Sequence, residues 1–132
     1  MKYFLVIAVV LVVGMIFYSS CATRNNGFKT VNVDEFSKLI AGNKGIQVLD
    51  VRTQEEYNDG HIAGANLIDV NDSTFIDKAA AQLNKKMPVA VYCRSGRRSA
   101  KAANAMVKAG FQVINLDGGI LAWQDAGKDI EK

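Results

Sequence analysis

Between Lys29 and Asp125, short apolar runs alternate with segments whose apolar residues recur at helical spacing, and this alternation leaves few folds open. Thr30 and Val31 read as a first short strand, Ile46–Val51 as a second, Ala65–Ile68 as a third, Pro88–Tyr92 as a fourth and Gln112–Leu116 as a fifth. Between them, Asp34–Ile40 puts Phe36, Leu39 and Ile40 on one helical face. Thr53 and Glu56 form a capping-box pair for a short helix that stops at Gly60. Asp72 or Ser73 caps a helix whose buried side is Phe75, Ile76, Ala79, Ala80 and Leu83, and Ser99–Ala109 is a helix of small residues closed by Gly110. A last helix bearing Ile120, Leu121 and Trp123 is entered through Gly118-Gly119. Strands separated by helices of this length predict an α/β fold, a parallel five-stranded sheet flanked by helices on both faces. In such sheets ligands bind beyond the carboxyl ends of the strands.

The fourth strand ends in Cys93-Arg94-Ser95-Gly96-Arg97-Arg98-Ser99. A tight glycine-containing loop between a strand and a helix aims backbone N–H groups and the positive helix end at one sulfur. That environment favours a thiolate and an anion beside it. An inert core cysteine is the alternative, and three arginines within six positions weigh against it.

Met1–Cys21 differs from the rest: Lys2 is its only charge, Tyr3–Tyr18 is almost unbroken apolar sequence, and Ser19 and Ser20 follow. This is the layout of an export signal, too short for an ordinary membrane span of about twenty residues. Ser19-Ser20-Cys21 resembles the end of a bacterial lipoprotein signal, with Tyr18 where Leu is usual, which makes Cys21 the lipidation site. An uncleaved anchor and plain cleaved secretion stay open, and each puts the remainder outside the cytoplasm, at a bacterial cell envelope in the anchored cases. The expected organisation is a signal over 1–21, a polar stem over 22–28 and one domain over 29–132; without the signal the chain has about 110 residues, enough for a single core.

Losing the signal removes one lysine and no acid, so the net charge falls from +3 to +2 (15 basic against 13 acidic residues), and nucleic acid is not an expected partner. With Cys21 lipidated, Cys93 has no disulfide partner and is a candidate reactive thiol. A single histidine gives no metal-ligand cluster, and no cofactor is expected.

Asp50-Val51-Arg52, Glu55-Glu56-Tyr57, Gly60-His61-Ile62-Ala63-Gly64-Ala65-Asn66, Cys93 to Ser99, and Asp117-Gly118-Gly119 with Trp123 occur in this order. Together they resemble the rhodanese family of sulfurtransferases in its single-domain form, over roughly Lys29 to Asp125. The resemblance implies a rhodanese-like sheet and a Cys93 thiolate that takes the outer sulfur of thiosulfate or a similar donor. A persulfide then passes its sulfur to a thiol, that of a protein included, or to cyanide. Arg94, Arg97 and Arg98 suit a small doubly charged donor, loop N–H groups from Arg94 through Gly96 to Ser99 suit the thiolate and persulfide, and Ser95 and Ser99 offer hydroxyls. Ser99 reads equally as a helix N-cap. Related phosphatases and arsenate reductases carry a loop one residue longer that ends in arginine, where this chain has Ser99.

The remaining motifs read as structural. Asp50 and Arg52 are expected to fasten the next helix through an ion pair with Glu55 or Glu56. His61 is a packing residue, Gly118 part of a tight turn, Trp123 core, and Tyr92 core or pocket wall. A monomer suffices. A non-catalytic rhodanese binding module and a persulfide carrier fed by a partner protein are the competing functions.

Overall fold

The computed structural model describes residues 27–42 and 45–132. The expected signal, the stem as far as Asn26 and the lipidation site Cys21 lie outside the described residues.

Ten elements follow one another: β1 (Phe28–Val31), α1 (Val33–Gly42), β2 (Gln47–Asp50), α2 (Gln54–Asp59), β3 (Asn66–Leu67), α3 (Phe75–Gln82), β4 (Val89–Tyr92), α4 (Arg97–Lys108), β5 (Val113–Leu116) and α5 (Gly119–Asp125). The strands form one sheet in the order β1-β5-β4-β2-β3, every neighbouring pair parallel. β4 is central, with Val89 beside Val113 on one side and Gln47 on the other.

The two-residue period of the strands divides the core. Val89, Val91 and Cys93 face the layer built by Phe75 and Ala79 of α3, Leu83 just past its end, and Ala102, Ala103 and Met106 of α4. Ala90 and Tyr92 face Phe36 of α1 and Ile120 and Trp123 of α5. Because both layers cover β4, all four of its residues are buried. Trp123 is core as expected: it meets Phe36 edge-on with centroids 6.2 Å apart, and its indole N–H donates to the Asp129 carbonyl at 2.9 Å.

Other elements shift by one or two residues from the sequence reading, and four differences bear on the packing. β1 takes in Phe28, assigned above to the stem, because its ring packs on the α3/α4 layer. β3 is only two residues long, the edge of the sheet. α3 begins at Phe75 after Thr74, since Asp72 spends its carboxylate on the N–H and hydroxyl of Thr74 in a turn just ahead of the helix. α4 begins at Arg97 and not at Ser99, because Gly96 turns the chain into the helix two residues earlier with φ +104°. At the other end of α4, Gly27 lies against Val107 so closely that a side chain there would collide with it.

Candidate active site

Cys93 follows the last residue of β4, whose carbonyl is fixed by the Val51 N–H at 3.1 Å. The loop is clamped from behind by α5. The Ile120 N–H donates to the Cys93 carbonyl at 2.9 Å and the Leu121 N–H to the Arg94 carbonyl at 3.2 Å, so the unpaired donors of a helix N-terminus are satisfied by the loop. This approach requires Gly119, held at φ +59°, because a Cβ there would run into the backbone of Cys93 and Arg94. With those two carbonyls turned toward α5, the N–H groups that follow turn inward. The Gly96 N–H reaches the Cys93 sulfur at 3.1 Å.

Cys93 is wholly buried, and burial alone would push its thiol up. Hydrogen bonding outweighs burial: the Ser99 hydroxyl and the N–H groups of Ser99, Gly96 and Ser95 converge on the sulfur and hold it below the ordinary thiol range. Ser99 is itself buried at the third position of α4, which removes the N-cap alternative. Its hydroxyl is also 3.1 Å from the Gly96 carbonyl. One proton serves one acceptor at a time, and a thiolate is the stronger of the two.

The three arginines are not equivalent. Arg94 and Arg97 are exposed and make no side-chain hydrogen bond or ion pair among the described residues. Arg98 is half-buried and donates from Nη1 and Nη2 to the two carboxylate oxygens of Glu56 at 2.7 and 2.9 Å. Arg98 beside Glu56 holds that carboxyl at about 2, well below the usual carboxylate range.

The expected ion pair of Asp50 or Arg52 with Glu55 or Glu56 is not formed. Arg52 lies in the bend two residues beyond the end of β2 and folds back on Asp50, donating from Nε at 2.9 and 3.0 Å and from Nη2 at 2.6 Å, and reaches the Gly60 carbonyl at 2.7 Å. Glu55 is exposed, without an ion-pair partner among the described residues. The Arg52 guanidinium lies 5.7 Å from the centroid of the Tyr92 ring, whose hydroxyl accepts from the Ile62 N–H at 3.0 Å. Burial pushes the Tyr92 hydroxyl far above its usual range. This cluster sits on the α1/α5 face, across the sheet from the sulfur, and Tyr92 is core. His61 stacks on Tyr57 with centroids 3.7 Å apart, its Nδ1 2.9 Å from the Tyr57 carbonyl, and its backbone pairs with Glu131.

Sequence reasoning missed two contributors. Gly119 was seen as a turn residue, and only the contact with Cys93 gives it a second role. Glu56 was seen as a cap, which it is: the Thr53–Glu56 box forms as expected. Its reach to Arg98 carries no local signal.

Residues 32–126 match the Rhodanese-like domain family. The chain is 33% identical over 118 residues to thiosulfate sulfurtransferase 18 of Arabidopsis thaliana, covering 80% of this chain and 85% of that protein. It is 35% identical over 103 residues to the thiosulfate sulfurtransferase GlpE of Shewanella oneidensis, covering 76% and 97%. Among solved structures, a rhodanese-like domain protein from Staphylococcus aureus superposes with a TM-score of 0.68 at 33% identity, covering 80% of this chain and all of that one.

Proposed function

The chain belongs to the rhodanese-like domain family, and from that premise we propose that it moves a sulfane sulfur from thiosulfate or a similar small anion to a thiol or cyanide acceptor through Cys93. The observation that carries the reading is a buried sulfur at the end of the central strand, with the Gly96 N–H 3.1 Å away, held below the ordinary thiol range by hydrogen bonding from Ser99, Gly96 and Ser95. In the first step the Cys93 thiolate attacks the outer sulfur of thiosulfate, the S–S bond of the donor breaks, and sulfite leaves with the electron pair. The Cys93 persulfide carries one negative charge, and the same N–H groups that held the thiolate are placed to hold it. In the second step an acceptor thiolate, or cyanide, takes the terminal sulfur and the Cys93 thiolate returns. Arg94 and Arg97, exposed and unpaired among the described residues, suit the doubly charged donor. No residue need act as a base once the thiol is ionised.

The apolar segment ahead of the stem supports placing this domain at a cell-envelope surface, held through Cys21. The partners in this reading are a small anionic sulfur donor and a thiol acceptor.

Intact-mass spectrometry of the full-length chain after incubation with thiosulfate tests the proposal. The wild type is expected to gain one sulfur that cyanide removes, and Cys93→Ser to gain none. A wild type that gains nothing would favour the binding module or the partner-fed carrier.

A further inference from the structure

Arg98 is the second residue of α4, at a helix entry where a free guanidinium would meet an incoming anion. Its guanidinium is not free. Both terminal nitrogens are taken by Glu56, at 2.7 and 2.9 Å, and Glu56 is fixed from its other side. Its Oε1 accepts from the Thr53 hydroxyl at 3.2 Å and from the Thr53 N–H at 3.4 Å. The pair thus ties the N-terminus of α2 to the start of α4, across 42 residues of sequence, with a planar two-point contact that resists rotation. About a quarter of each side chain is exposed (28% and 27%), so the charges are only partly screened by water. Resting on the sulfur-transfer reading, we propose that Glu56 is a positioning residue for the nucleophile loop: its carboxylate fixes the entry of α4 and occupies Arg98, leaving Arg94 and Arg97 as the cations that meet the donor.

Two consequences separate this role from a purely structural one. The first concerns the field at the sulfur. The Arg98 charge attracts the Cys93 thiolate at a distance, while Glu56 in direct contact, and more weakly Asp69, oppose that charge. Removing the Glu56 charge leaves Arg98 uncompensated and lowers the pH at which Cys93 ionises. The second concerns binding. A residue that positions the loop affects turnover, whereas one that touches the donor affects KM.

The test uses full-length Glu56→Gln, Arg98→Lys and Arg97→Ala. Glu56→Gln keeps an oxygen for Thr53 and nearly the same volume. The pH midpoint of Cys93 alkylation by iodoacetamide, a neutral probe, is expected to fall by about half a unit in this variant. Arg98→Lys keeps the charge and cannot span both oxygens. With thiosulfate and cyanide it should lose kcat while KM stays within about twofold, whereas Arg97→Ala should raise KM about tenfold. An unchanged or raised midpoint in Glu56→Gln overturns the proposal, as does an Arg98→Lys rise in KM equal to that of Arg97→Ala. If Glu56→Gln does not fold, Glu56→Asp, which draws the carboxylate back from Arg98, carries the same expectation at smaller size. Alkylation needs no sulfur transfer. A shifted midpoint in a protein without thiosulfate turnover therefore removes the proposed function and leaves the role of Glu56 standing.

Discussion

At Cys93 two opposing effects meet, and their balance can be read one group at a time. Burial opposes ionisation, while the Ser99 hydroxyl and three N–H groups favour it and win. Ser99→Ala deletes one donor and leaves the backbone in place. A hydrogen bond to a charged group is worth about 1.5–3 kcal/mol, so the alkylation midpoint of Cys93 should rise by about one to two units, read as the pH dependence of iodoacetamide modification. A midpoint equal to that of wild type would mean that the hydroxyl stays on the Gly96 carbonyl in the ionised state as well. The placing of Cys93 in a tight loop between a buried strand and a helix was legible in sequence because strand, cysteine and glycine loop are consecutive. The ranking of the arginines was not, because the carboxylate that singles out Arg98 arrives from another element.

Between elements, the decisive contact is that of α5 with the loop, and Gly119 is where it is closest. Gly119→Ala has both a positive φ and a collision with the backbone of Cys93 and Arg94, whereas Gly127→Ala has only the positive φ of +76°, with open space around it. Gly127→Ala should cost about 1 kcal/mol and Gly119→Ala at least about 2 kcal/mol more, measured by urea unfolding, with sulfur transfer lost only in the latter. The same comparison shows what kind of information a sequence holds. Thr53 and Glu56 cap a helix three residues apart and were readable as a local pattern. Asp50 and Arg52 were misassigned because the bend just past β2 lets Arg52 fold back on Asp50, and this nearer partner wins over Glu55 and Glu56. The start of α4 was placed at Ser99 because a serine looks like a cap, while the left-handed turn at Gly96 that displaces it leaves only a glycine in the sequence.

Across the whole molecule, the charges that hold distant parts together set the response to acid. Glu56 has a folded-state pKa of about 2 against 4.5 for the free group, so its pairing contributes fully above about pH 4.5 and is lost as pH falls toward 2. Asp72, held below its usual range by Lys78 and Thr74, acts in the same direction from the surface. Urea midpoints of the wild type should fall steadily below pH 4.5, and those of Glu56→Gln should fall less; parallel curves would show that the pair contributes nothing to the fold. Direction matters at this scale too. β1 enters the domain where Gly27 rests against Val107, near the carboxyl terminus of α4, while Cys93 lies at the opposite end of strands about 13 Å long. A chain tethered by the residues ahead of Phe28 would hang from the far pole of the sheet. The loop that carries Cys93 would then lie on the side away from the tethering surface, toward sulfur compounds arriving from solution.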